Sequence, residues 1–178
     1  MSSTPPKPPI RVVTVTVSDT RTRATDESGR ILGELLRQAS IDVKRHVIVK
    51  DEPDFIQELV RSIADDNESD AIILSGGTGI AKRDTTHEAL EAVFEKRMDG
   101  FGEAFRRLSW DEIGPRAILS RATAGVVNGC IVFSLPGSVG AVQLGVSQLI
   151  LPMLAHAVDL IQGRTGHDPR HDRPTWSR

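Results

Sequence analysis

The chain has 178 residues, of which 39% are hydrophobic, and a formal net charge of −2 at pH 7. This length fits one domain with a core of its own, and the slightly acidic balance and scarcity of aromatic residues argue against a nucleic-acid surface. The single cysteine, Cys130, excludes an internal disulfide and is typical of the reducing cytoplasm, where we expect the protein to act.

Both ends of the chain are expected to lie outside the folded domain. Residues 1–9 are rich in proline and predict a disordered N-terminal tail, and they lack the apolar core of a signal peptide. Residues 164–178 form a polar C-terminal tail in this interpretation. The domain itself is therefore predicted to span residues 10–163.

Predicted strands and helices alternate through the first half of the domain. Arg11–Val17 is β-branched and predicts a first strand, and residues 43–49 and 71–74 predict two more. Residues 31–39 and 55–64 each place their apolar side chains on one helical face. This alternation predicts a single-domain, three-layer, doubly wound α/β fold with a mostly parallel sheet.

The second half of the domain departs from simple alternation. After a helix predicted over residues 101–108, Asn128-Gly129 between two β-rich runs indicates a hairpin, which adds one antiparallel edge. Val139–Ile161 predicts a long apolar helix that Pro152 should kink or split, with too many polar residues for a membrane span. Because this helix is apolar on nearly all sides, we expect another subunit to cover part of it.

The most informative stretch is residues 70–88, where a short apolar strand runs into a glycine-rich turn. Gly76, Gly77 and Gly79 can adopt positive φ and lack a Cβ, so their N–H groups can approach an anion closely. The spacing matches neither a Walker A loop nor a dinucleotide fingerprint. The turn therefore predicts either a cradle for a phosphorylated ligand or a plain strand-to-helix connection.

The residues that follow the turn favour the ligand cradle. Lys82 and Arg83 would add positive charge for a phosphate. Asp84 is placed to hold Mg²⁺ or to orient a nucleophile. Thr85, with Glu88 three residues later, predicts a capping box that opens the next helix.

Polar residues follow the end of each predicted parallel strand. Ser18 and Asp19 come after the first strand, Asp51 after the second, and residues 136–138 form a second glycine turn further on. In doubly wound sheets, ligands bind beyond the carboxyl ends of the strands, so one rim should collect these groups. Taken alone, Asp51 fits a structural turn acid better than a functional carboxylate, whereas Asp19 fits a ligand contact and a turn cap equally.

Seven short segments occur in order along the chain: residues 18–22 (SDTRT), 26–29 (DESG), 75–79 (SGGTG), 83–84 (RD), 100–106 (GFGEAFR), 119–122 (LSRA) and 135–138 (LPGS). With these segments the chain resembles the MogA/MoaB family of molybdenum-cofactor biosynthesis proteins. Residues 100–114 are closer to the MoaB branch.

The resemblance implies an α/β domain that assembles as a trimer or hexamer and adenylylates molybdopterin with Mg-ATP, releasing pyrophosphate. It implies ATP as cosubstrate, no tightly bound cofactor, and other proteins of the pathway as possible partners, with no nucleic acid or membrane. Asp51 and Asp84 become the expected catalytic carboxylates, and Asp84 the expected Mg²⁺ ligand. The expected ligand-binding residues are Ser18, Asp19, Ser75, Gly76, Gly77, Thr78, Gly79, Thr86, Glu103, Ser120, Arg121, Pro136, Gly137 and Ser138.

Two alternatives to catalysis stay open at this point. The chain could be a MoaB-type oligomer that holds molybdopterin or its precursor without transferring AMP, or a structural partner in a cofactor assembly complex. Glu103 could form a surface ion pair with Arg106 or reach into a neighbour's pocket. Finally, His87 stands where the family often has proline, and residues 139–140 (VG) stand where the adenylyltransferase branch has Asn-Pro.

Overall fold

A computed structural model describes residues 8–164. The tails expected at residues 1–9 and 164–178 therefore lie outside the described residues, apart from Pro8, Pro9 and Arg164.

One six-stranded sheet forms the middle layer, in the order β2-β1-β3-β6-β5-β4. The four strands β2, β1, β3 and β6 run parallel, whereas β5 pairs antiparallel with β6 and β4 antiparallel with β5. The mostly parallel α/β fold is thus confirmed, with two antiparallel strands at one edge. The strands are β1 (Arg11–Val17), β2 (Asp42–Val49), β3 (Ala71–Ser75), β4 (Lys96–Arg97), β5 (Thr123–Val127) and β6 (Cys130–Leu135).

Helices cover both faces of the sheet and divide the core into two apolar clusters. One cluster packs the sheet against α1, α4, α5 and α6, and the other packs it against α2 and α3. The helices are α1 (Glu27–Gln38), α2 (Pro53–Asp65), α3 (Thr86–Glu91), α4 (Asp99–Ile113), α5 (Val139–Gly145) and α6 (Leu151–Ile161), with a 3₁₀ helix at Gly114–Leu119 after α4.

The predicted long helix runs without interruption from Val139 to Ile161, so the split expected at Pro152 is absent, and α5 and α6 are its two α-helical parts. A π-helical turn at Val146–Ile150 joins the two parts, and Pro152 follows at the start of α6. The joined helix is long and apolar enough to cross a membrane by length and composition alone. However, it packs one face onto the sheet as a core helix does, through Val142, Val146 and Ile150.

The hairpin predicted at Asn128-Gly129 is confirmed. Both residues have positive φ, 45° and 74°, as a two-residue turn of type I′ requires. Strand β4, by contrast, was not predicted from the sequence. It consists of two exposed basic residues, which carry no alternating pattern.

A buried ionic network joins the amino-terminal end of the sheet to the last helix. Asp70, only 9% exposed, accepts hydrogen bonds from the backbone N–H of Arg11 at 2.8 Å, from its guanidinium, and from Gln162 at 2.9 Å. Burial alone would raise the pKa of Asp70, but the hydrogen bonds from Arg11 and Gln162 outweigh it and hold this pKa below its ordinary value. The folded state is therefore stabilised by the ionised carboxylate.

Candidate functional site

The carboxyl ends of the parallel strands bring the predicted acidic and glycine segments to one rim. Asp19, Asp51, Gly77 and Asp84 line one small cleft there, together with Arg83. These residues come from the ends of β1 and β2 and from the loop after β3. The structure thus assembles the three acidic residues that the strand order predicted would meet.

Asp51 is half-buried and held at both its backbone and its side chain. Its N–H donates to Asp19 Oδ1 at 3.1 Å, and its Oδ1 accepts from Thr85 N at 3.0 Å and Thr85 Oγ1 at 2.8 Å. The capping box predicted for Thr85 is therefore wrong, because the hydroxyl donates to a carboxylate 34 positions earlier instead of capping α3. With Oδ1 occupied, Asp51 keeps Oδ2 for other partners.

The floor of the site is made of backbone where the two glycine turns meet. Gly76 has φ of 109°, and a Cβ there would lie 2.2 Å from Val17 O. A Cβ on Gly137 would lie 3.2 Å from the Cα of Gly76. Any other residue at Gly76 would therefore be strained in backbone and clash with the end of β1.

Asp84 stands between the cleft and a larger groove. Its Oδ2 accepts from Ala81 N at 2.9 Å, and a Cβ on Gly79 would lie 2.6 Å from the same oxygen. The carboxylate is half-buried and lines both cavities. It can therefore present charge to a ligand that spans them.

Arg121 ties down the loop between Gly79 and Glu88. Its Nε donates to Gly79 O and its Nη2 to Asp84 O, both at 2.9 Å, while Nη1 forms an ion pair with Glu88. The hydrogen bond from Arg121 lowers the pKa of Glu88. The guanidinium expected to contact a phosphate is thus engaged with the loop's own groups. His87, the departure from proline, lies with Nδ1 3.1 Å from Arg121 O and adds a link to the same residue.

The groove has a volume of about 470 Å³, within the range of small-molecule sites. The predicted residues Thr78, Ser120 and Pro136 line it, as do Gly76, Gly77, Gly79, Gly137 and Ser138. Its opposite wall comes from α4 and the 3₁₀ helix. Sequence reasoning did not single out the wall residues as ligand contacts: Phe105, Ser109, Glu112, Ile113, Arg116 and Leu119.

Four predicted ligand residues border neither the cleft nor the groove, namely Ser75, Thr86, Glu103 and Arg121, whereas Ser18 lines the cleft. Ser75 is 1% exposed and lies 3.5 Å from Thr16 Oγ1, and Ser18 Oγ accepts from backbone N–H groups of its own loop. Glu103 is exposed and borders neither the cleft nor the groove of its own chain, so that expectation is not met within one chain. The ion pair proposed for it is replaced by a hydrogen bond from Arg106 to Ser120 O. Thr86 is fully buried beneath the loop.

Comparison with known proteins identifies relatives over most of the chain. The family model described as "Probable molybdopterin binding domain" matches residues 13–156. Molybdenum cofactor biosynthesis protein B of Bacillus subtilis (strain 168) is 51% identical over 150 residues, which cover 84% of this chain and 88% of that protein. A crystal structure of a molybdenum cofactor biosynthesis protein B superposes with a TM-score of 0.85 at 45% identity, covering 88% of this chain and 98% of that one. The tungsten cofactor synthesizing protein MoaB from Pyrococcus furiosus gives 0.76 at 33% identity, with 88% and 99% covered.

Proposed function

This chain belongs to the MoaB branch of the molybdenum-cofactor biosynthesis proteins, and on that premise we propose that it is a molybdopterin adenylyltransferase. The observation that carries the proposal is the meeting of Asp51 and Asp84 in one cleft beside a glycine-floored groove. The substrates we propose are molybdopterin and Mg-ATP, and the products are adenylylated molybdopterin and pyrophosphate. We expect the reaction to take place in the cytoplasm.

In this proposal the groove receives molybdopterin. Its floor of glycine backbone can approach a phosphate closely, and Thr78, Ser120 and Ser138 supply hydroxyl and backbone groups around it. The apolar wall of Ile113 and Leu119 suits a flat heterocycle. The ligand phosphate would then point towards the cleft that Asp84 shares with the groove.

The two carboxylates suit a hard divalent cation. Mg²⁺ is commonly bound by one or two carboxylates together with water and substrate phosphates, and Asp84 and Asp51 supply hard oxygen donors of that kind. Within the described residues no cluster of three or more His, Cys, Asp or Glu is arranged as a metal cage, so phosphate oxygens would complete the shell. When bound, Mg²⁺ would neutralise charge on the triphosphate.

The chain's own contribution is alignment and electrostatics. The molybdopterin phosphate oxygen forms a bond to the α-phosphorus of ATP while the bond to the bridging oxygen of pyrophosphate breaks. Because the nucleophile is already an anion, no residue has to remove a proton. Asp51 and Asp84 would hold Mg²⁺ and thereby the phosphates in alignment. The exposed Arg83 of the cleft, and Lys82 next to it in the chain, would add positive charge for the leaving group.

The test is pyrophosphate release from Mg-ATP with and without molybdopterin. We expect release that requires molybdopterin, and we expect Asp84→Ala to lower the rate on the order of 10² while the protein stays folded. Glu58→Ala, on an exposed position of α2, is the matched control and should turn over normally. Molybdopterin binding without pyrophosphate release would instead assign the non-catalytic MoaB-type function.

We also propose that the protein is a homotrimer or homohexamer. The end of α4 and the 3₁₀ helix after it expose several large apolar side chains, which is unusual for a monomer's surface when they lie together. Sedimentation velocity at micromolar concentration should give the mass of a trimer or hexamer, and a monomer mass would contradict this assembly. The exposed side chains are Trp110 and Ile118, which lie outside the groove, together with Ile113 and Leu119 of its wall, so the neighbouring subunit would border the groove.

A further inference from the structure

The hydroxyl of Thr86 is a buried polar group without a hydrogen-bond partner. Thr86 is 0% exposed, and its Oγ1 is one of the few buried side-chain oxygens in the described chain that lack a partner. Leaving a hydroxyl buried and unpaired is unfavourable, so such a group in a native structure calls for an explanation. Because Oγ1 is sealed from solvent, direct contact with a ligand, as the sequence suggested, does not explain it.

The surroundings of Gly77 show what the hydroxyl faces. A Cβ built on Gly77 would lie 2.1 Å from Thr86 Oγ1 and 2.5 Å from Asp51 Oδ2. Both oxygens therefore converge on one point beside the glycine, within a few ångströms of each other. Asp51 Oδ1 already accepts two hydrogen bonds from Thr85, so Oδ2 is the oxygen with capacity left.

The backbone keeps the hydroxyl in this place. Thr86 N donates to Gly77 O at 3.1 Å, which fixes the start of α3 against the glycine turn. Gly77 itself has φ of 65° and no side chain, so no Cβ occupies the position on which the two oxygens converge. The arrangement sets a fixed donor beside an acceptor that also borders the cleft.

We propose that Thr86 is a positioning residue for Asp51: its hydroxyl donates to Oδ2 when the carboxylate engages the bound substrates. This hydrogen bond would occupy one lone pair of Oδ2 and fix the orientation of the carboxylate, so that the other lone pair points into the cleft. The inference rests on the proposed adenylyltransferase and assigns Thr86 a role through Asp51, not through the ligand.

Thr86→Val tests the inference, because it replaces the hydroxyl by a methyl group of similar size. Because the proposed hydrogen bond to the charged carboxylate forms only during turnover, kcat should fall about tenfold while KM for both substrates is unchanged. The free energy of unfolding should be unchanged or higher, since an unpaired buried hydroxyl is removed. Thr86→Ser should restore most of kcat. Ser134→Ala, which removes another buried hydroxyl without a partner and borders neither cleft nor groove, is the control and should leave kcat unchanged.

Dependence on Asp51 gives the decisive comparison. In an Asp51→Asn background, where residual turnover is followed at high enzyme concentration, Thr86→Val should have little further effect. A normal kcat for Thr86→Val, or the same fold loss in both backgrounds, overturns the inference. Wild-type protein that releases no pyrophosphate refutes the proposed function instead, so the two failures have different signatures.

Discussion

Replacing Arg121 with lysine separates two roles that this arginine could have. Lysine keeps the positive charge but offers one compact ammonium in place of a planar fork. It can pair with the exposed Glu88, but it cannot also reach the carbonyls of Gly79 and Asp84, which Arg121 holds at 2.9 Å each. Arg121→Lys therefore releases both ends of the loop while preserving local charge.

The magnitude follows from the two lost hydrogen bonds. Each partly buried bond of this kind contributes about 1 kcal/mol, so the free energy of unfolding should fall by roughly 1–2 kcal/mol. For a protein of this size, the melting temperature should then drop by roughly 2–8 °C. The ion pair to Glu88 adds little because that carboxylate is 59% exposed.

Denaturant unfolding and limited trypsinolysis measure the two consequences. Lys82 and Arg83 lie exposed in the released loop, so cleavage after them should become faster in Arg121→Lys. Arg107→Lys is the matched control, since Arg107 makes an exposed pair with Asp111 on α4 and should change neither measurement. Unchanged stability and cleavage, combined with weaker molybdopterin binding, would refute this reasoning and return Arg121 to a phosphate contact.

Three further outcomes are expected. Gly77→Ala should lose turnover on the order of 10² or more, measured by pyrophosphate release, and also some stability, because its methyl group would clash with Thr86 Oγ1 and Asp51 Oδ2 at a position with positive φ. The free energy of unfolding should fall as pH drops below about 5, because Asp70, whose pKa is lowered in the fold, stabilises the protein only while it is ionised. In Asp70→Asn, which loses the ion pair to Arg11, the free energy of unfolding should depend less steeply on pH. Acid titrations followed by circular dichroism measure this dependence. Cys130 should resist iodoacetamide at pH about 8 until the protein is unfolded, since burial raises the pKa of its thiol to about 11; rapid labelling of native protein, followed by mass spectrometry, would contradict this.

The fold was predictable where a short local pattern of residue types indicates a strand, a helix or a turn. The β-branched run at residues 11–17 and the short apolar run at residues 71–74 predicted β1 and β3 within one residue of their bounds, and Asn128-Gly129 located the hairpin, because these signals act over a few residues. The two-residue strand β4 has no such pattern. The apolar sequence of Val139–Ile161 has a structural reason on the side that faces the sheet. Residues buried on the sheet recur every four positions, and the π-helical turn keeps that stripe facing the core.

The sequence predicted which strand ends meet at the site, but it did not predict the hydrogen bonds between the side chains there. Strand order alone brings Asp19, Asp51 and Asp84 to one rim. The hydroxyl of Thr85 donates to Asp51, and the guanidinium of Arg121 donates to the carbonyl of Asp84. Each of these hydrogen bonds joins residues more than thirty positions apart, and no local propensity encodes such contacts. The groove residues of α4 were not predicted from the sequence for the same reason.

The meeting of Gly76 and Gly137 has a consequence for how the groove of this protein can be reshaped by substitution. Since the floor there consists of main-chain atoms, side-chain substitution cannot gradually reshape it, and a change at either glycine disturbs both turns at once. Substitutions that change the shape of the groove are therefore expected to act in the opposite wall, at positions such as Glu112, Arg116 and Leu119. Mutational libraries aimed at altered substrates should be confined to that wall, with both glycine turns left as an invariant frame.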